Sequence, residues 1–219
     1  MMKKIVLFII TIMAIRTGAI AGMLSGISQP SVKGPGSYGL KFGTTIVMFY
    51  TPFSVLSLGG KYAYDNNLSV YAKYGAGTVD YTAIPGVRIT TDPHVSTLGL
   101  EYLLSGSRDA EYTAFVGEYE SATWSINKKD NTSSEIELAM DFGSTIGTAL
   151  KTRYRLSLNN FNAGTESNEK ISTSLKYGMS TEIEYRFHPN FTGSFDGGIY
   201  VGDTNGVIAY FGFGLGYNP

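Results

Sequence analysis

The chain has no cysteine, one tryptophan and two histidines among 219 residues. Without cysteine there is no disulfide framework, and the lipid-modified cysteine of bacterial lipoproteins is excluded. Charge of either sign is not in excess, with 17 basic against 18 acidic residues, so no basic footprint for nucleic acid exists. Glycine-rich phosphate loops, zinc spacings and EF-hand loops are absent, and no metal or cofactor is expected. Beyond the first residues, no apolar run approaches the roughly 20 residues of a membrane-crossing helix. Glycine, tyrosine and phenylalanine are abundant instead, at 27, 16 and 12 residues.

The first 21 residues read as a signal peptide. Lys3 and Lys4 precede an apolar run from Ile5 to Ile15, and Ala19-Ile20-Ala21 has the spacing of a cleavage site. Arg16 just after the run leaves a retained anchor as the alternative. Cleavage after Ala21 yields one domain, 22–219. Taking Lys3, Lys4 and Arg16 from the 17 basic residues leaves 14 against 18 acidic.

Within that domain apolar and polar residues alternate, and the stretch 170–187 does so from end to end. Ile171, Leu175, Tyr177, Met179, Ile183, Tyr185 and Phe187 share one parity, while Lys176, Glu182, Glu184 and Arg186 share the other. Successive side chains of a strand face opposite ways, so such a segment separates two solvents. Similar alternation marks 36–49, 54–64, 68–77, 95–104, 135–142, 150–158, 191–201 and 207–217. Residues 110–124 are extended but of undetermined parity. The count predicts an all-β, antiparallel up-and-down barrel of ten strands, with eight as the alternative.

Tight connections at 65–67, 105–109, 143–147 and 188–190 alternate with long polar stretches at 80–93, 125–134 and 160–169; short links lie near Thr51-Pro52 and at 202–205. Asp203-Thr204-Asn205-Gly206 reads as a hairpin turn, because Asn-Gly suits the positive φ needed there. Short turns at one end and longer loops at the other suit a membrane barrel. In a soluble lipocalin-like barrel the apolar face would point inward. Glycines on the polar face (Gly39, Gly59, Gly99, Gly178, Gly198, Gly212 and Gly214 among them) favour the membrane version, since a narrow lumen is crowded and outside water is not. Aromatics near strand ends, such as Tyr62, Tyr64, Tyr185 and Phe187, suit an interfacial girdle.

This pattern resembles the small bacterial outer-membrane β-barrel family, OmpX-like and OmpA-membrane-domain-like, over the whole domain. The last strand carries Tyr210-x-Gly212-x-x-Leu215-x-Tyr217, similar to the signal read by the barrel-assembly machinery, although Asn218-Pro219 follow where such proteins commonly end in Phe. The resemblance implies a Gram-negative-type outer membrane and contact with its lipid and lipopolysaccharide. A monomer is expected, with an extracellular loop ligand and no nucleic acid as partner.

Eight basic residues fall on the lumen parity: Lys41, Lys61, Lys73, Lys151, Arg153, Arg155, Lys176 and Arg186. Seven acidic residues share it: Glu101, Glu135, Glu137, Asp141, Glu182, Glu184 and Asp196. Near-balance suggests an ion-pair network filling the lumen, and thus a structural or surface-interaction role. The alternative is a narrow, porin-like channel for ions or small solutes. A second alternative is a hydrolase. Asp92-x-His94 is similar to half of an omptin protease site, whose Asp-x-Asp half is missing because Asp80 stands alone. His94-x-Ser96 is similar to part of a lipid A deacylase site, but Glu101 has the wrong parity to complete it. His188 sits in a tight turn.

Overall fold

The computed structural model describes residues 29–48, 53–84, 87–126, 129–165, 170–202 and 206–219. The signal segment 1–21 and the links at 51–52 and 203–205 lie outside them. The strands are β1 Tyr38–Met48, β2 Phe53–Ala63, β3 Leu68–Ile84, β4 Val87–Thr91, β5 His94–Gly106, β6 Tyr112–Ile126, β7 Lys129–Ile146, β8 Leu150–Thr165, β9 Lys170–His188, β10 Phe191–Gly202 and β11 Gly206–Tyr217. Ten of them pair in sequence order, all antiparallel, and β1 closes on β11 with Lys41 opposite Gly216. The eleventh, β4, pairs only with the far end of β3 and runs on into β5 after Asp92-Pro93. The fold is therefore a closed ten-stranded up-and-down barrel. Within the ten-stranded ring every strand has a partner on both sides, the condition for a sheet in hydrocarbon.

Alternation decides what each face meets. Leu56, Leu58, Leu98, Ile136, Leu156, Met179 and Leu215 are all exposed on the outside, each at 49% or more. Lys41, Lys73, Glu101, Glu137, Asp141 and Arg155 are buried within. A water-soluble protein does the reverse, and an apolar surface running round a whole molecule marks a membrane contact. Tyr38, Tyr62, Tyr102, Tyr185 and Phe187 lie toward the tight-turn ends of their strands, Tyr64 lies just past the end of β2, and all are likewise exposed, as an interfacial girdle requires.

The stretches expected as long polar loops are mostly strand. Val79 pairs with Thr91, Ile126 with Lys129, and Asn131 with Thr165. Hairpins thus rise well past the point where apolar alternation stops. The reason is that above lipid both faces meet water, so backbone pairing alone can continue a strand whose side chains are polar throughout. Polar composition was a sign of leaving the membrane, not of leaving the sheet.

The other end is held by side chains. Asp65 accepts hydrogen bonds from the backbone N–H groups of Asn67 (2.8 Å) and Leu68 (2.6 Å). Those donors hold its carboxyl below the ordinary aspartate range. Arg108, in the next turn, donates to the carbonyls of Asn66 (2.6 Å) and Asn67 (3.1 Å). One guanidinium fork thereby ties two hairpins together.

Candidate functional site

The lumen is the place where the chain gathers its charges, and each one arrives there through strand parity. At the centre, Arg155 on β8 faces Asp141 on β7 directly across the ladder. Its Nε donates to Asp141 Oδ1 at 2.7 Å and its Nη2 to Asp141 Oδ2 at 3.0 Å. Its Nη1 reaches Glu118 on β6 at 2.7 Å and Glu137 on β7 at 2.8 Å. Glu118 and Glu137 are themselves cross-strand neighbours. Two like charges so placed repel, and Arg155 sits between them as the compensating cation. Lys73 from β3 adds a second contact to Glu118 at 3.0 Å.

Toward the loop end, Lys176 pairs with Glu135 at 3.2 Å, and Asn159 donates to both Glu135 and Glu137. Glu120 stands directly opposite Glu135 and accepts from Thr97 at 3.1 Å. Toward the turn end, Lys61 pairs with Glu101 at 2.8 Å and Lys41 with Glu182 at 2.6 Å. Arg153 bridges Glu182 and Asp141. Lys151 turns to the rim instead, 3.5 Å from Asp109. Glu184 accepts from Ser31 at 2.8 Å. Asp196 is buried against the backbone of Gly212. Arg186 is half-exposed and enters no ion pair among the described residues.

Four tyrosines fill the space between charges, each directly across the ladder from a glycine: Tyr71 from Gly99, Tyr112 from Gly143, Tyr200 from Gly178 and Tyr210 from Gly198. A Cβ on Gly99 would lie 2.3 Å from the Tyr71 ring, and one on Gly143 2.0 Å from the Tyr112 ring. The glycines are the floor on which the rings lie, an aromatic–glycine pairing that packs a curved sheet. Tyr71 also lies under two ammonium groups, with Lys73 Nζ 5.5 Å and Lys61 Nζ 5.9 Å from its ring centre, within cation–π range.

The lumen further holds a stretch of chain from before the first strand. Gln29, Pro30 and Val32 are buried, and Gln29 is bonded at both ends of its carboxamide. Lys61 Nζ donates to its Oε1 at 3.0 Å, and its Nε2 donates to Glu118 at 3.4 Å. The chain leaves the lumen at Lys33, whose ammonium donates to the carbonyl of Pro219 at 3.1 Å. The space left beside this segment is about 50 Å³, enough for a few waters at roughly 10–15 Å³ each.

Of these partners, Glu118, Glu120, Asn159, Arg108 and Gln29 were not foreseen from the sequence. Strand 110–124 had no readable parity because Ala114, Val116, Ala122 and Trp124 point inward with the two glutamates. Its outward Phe115 and Tyr119 lie opposite the outward Tyr102 and Leu98, and that pairing was the available signal.

In the final strand, Tyr210 and Gly212 face inward, while Leu215 and Tyr217 face outward. The histidines stand outside the lumen. His94 is exposed, with Nδ1 2.7 Å from the Tyr74 hydroxyl and the two rings stacked at 6.1 Å. Asp92 accepts from Thr78. No group of three or more histidine and carboxylate side chains is placed to hold a metal among the described residues.

The chain is a ten-stranded, transmembrane-type β-barrel. No family model matches it, and no curated protein matches it in sequence. Solved structures with some likeness include outer-membrane proteins. The translocator domain of the autotransporter NalP from Neisseria meningitidis is 13% identical, with 84% of this chain and 89% of that one covered, at a TM-score of 0.46. The outer membrane protease OmpT from Escherichia coli is 9% identical over 84% and 97%, at 0.45. The attachment invasion locus protein Ail of Yersinia pestis is 15% identical over 85% and 99%, at 0.32. At such identities and scores no function passes across, and the architecture rests on the strand pairing itself.

Proposed function

We propose that residues 1–21 export this chain, that 22–219 form an outer-membrane barrel, and that its role is structural, with surface interaction through its outer loops. The observation that carries this reading is Glu118, whose carboxylate binds Arg155 from β8 and Lys73 from β3 and so links well-separated strands across a lumen already occupied by four tyrosines and by Gln29–Val32. A lumen crossed in this way does not offer a solute a path. Surface contact then falls to the hairpins that rise on β3–β4, β6–β7 and β8–β9, where an extracellular ligand would meet polar ribbons on a rigid base. Outer-membrane lipid and lipopolysaccharide would cover the apolar wall, and the barrel-assembly machinery would read Tyr210, Gly212, Leu215 and Tyr217.

The hydrolase alternative gains nothing from His94. A general base needs an orienting partner, and here the ring nitrogen meets a phenol rather than a carboxylate. Fractionation tests the proposal. The mature chain is expected in the outer membrane as a band that shifts mobility on heating. Recovery from the soluble periplasm, without detergent, would reject it.

A further inference from the structure

We propose that Gln29–Val32 is a displaceable peptide plug, and that the turn-side lumen is its receptor, a groove for an uncharged, extended segment. The proposal rests on the membrane-barrel reading above.

The barrel is complete without this segment. Ring closure runs through β1 and β11, and residues 29–32 belong to no strand. Among the described residues their hydrogen bonds to the wall are made by side chains, from Gln29 to Lys61 and Glu118 and from Ser31 to Glu184. A segment held by a few such bonds can open locally while the ladder stays intact.

The groove is nevertheless shaped for it. The Ser31 carbonyl lies so close to Gly39 on β1 that a Cβ there would sit 2.0 Å from its oxygen. Glycine in a strand interior marks such an approach of a second backbone. The Pro30 ring packs beside Gly59, where a Cβ would meet it at an ordinary contact distance of 3.7 Å. Proline brings no backbone N–H into a space without a ladder to receive it. The carboxamide of Gln29 is matched at both ends, by a donor in Lys61 and an acceptor in Glu118. A carboxylate at that position would face Glu118 and repel it, and an alkyl group would leave both partners unmet. The groove therefore selects amide over acid at its inner end.

The absence of native cysteine allows a direct test. Ser31→Cys supplies a single thiol in the plug, and Lys33→Cys supplies one on the exposed rim. Refolded protein in detergent is treated with a bulky water-soluble maleimide. Lys33→Cys is expected to label as fast as denatured protein, and Ser31→Cys at least about tenfold slower, the protection of a local opening equilibrium. Adding Gly39→Ala, or Gln29→Glu should the first not fold, is expected to restore fast labelling while the heat-shifted mobility is kept.

A barrel deleted for residues 29–32 is then offered a fluorescent synthetic peptide of residues 27–34. Binding that is lost on adding Gly39→Ala supports the groove, and no binding overturns its role as a receptor. Fast labelling of Ser31→Cys in folded protein overturns the plug and leaves the barrel standing. Slow labelling unmoved by either Gly39→Ala or Gln29→Glu overturns its displacement. Loss of the heat-shifted mobility from the parent protein counts against the barrel reading instead.

Discussion

Arg155 and Leu156 are joined by one peptide bond and meet opposite surroundings. Arg155 is buried among Glu118, Glu137 and Asp141, while Leu156 is half-exposed on the outer wall. The outer face asks only for apolarity, so many side chains could serve at position 156. The inner face asks for partners, because a charge without one is costly away from water. The two faces are thus specified in different ways, one by solvent and the other by charged neighbours on other strands.

The largest expected effect comes from breaking the inner face. Arg155→Ala leaves three carboxylates without their shared cation, and loss of one partner of a buried pair typically costs about 3–5 kcal/mol. Urea unfolding of the refolded barrel measures it. Adding Glu118→Gln and Glu137→Gln should recover part of the loss, because neighbours in one network do not behave additively. Breaking the outer face comes next. Leu156→Arg should cost about 2–4 kcal/mol if that position lies near the midplane, and the same titration in vesicles reads it. A third effect concerns filling rather than charge. Gly99→Val would drive methyl groups into the Tyr71 ring, an overpacking cost of about 1–3 kcal/mol, and Tyr71→Ala in the same chain should relieve part of it.

The smallest effect lies outside both faces. The carboxyl of Asp65 is held below its ordinary value by the N–H groups of Leu68 and Asn67. A depressed carboxyl stabilises the fold above its unfolded pKa, and that contribution disappears as pH falls through the folded one. The stability difference between wild type and Asp65→Asn should therefore be present at neutral pH, shrink as pH falls below the ordinary aspartate value and vanish below the depressed folded one. A difference that grew on acidification would contradict this assignment.

The outer face was the more legible in the sequence. Leu56, Leu98, Leu156 and Met179 fall on a parity that apolarity alone reveals, and with them came strand direction and closure. The inner face was legible where both signs of charge alternate with apolar residues, as in β8 and β9. It was not legible in β6, whose inward side mixes Glu118 and Glu120 with Val116, Ala122 and Trp124. Apolar residues point both ways there, because a lumen needs filler as well as charge. The rising hairpins were misread since their polar residues signal water and say nothing of backbone pairing. The segment Gln29–Val32 carried no periodic pattern at all. Its place depends on Gly39, Lys61, Glu118 and Glu184, residues that only the closed barrel brings together.

Planar-bilayer conductance of the refolded barrel tests the filled lumen most directly. Wild type is expected to show little or no steady current, and Arg155→Ala to admit cations past carboxylates left with an excess of negative charge. A large, steady wild-type conductance, unchanged by that substitution, would contradict it.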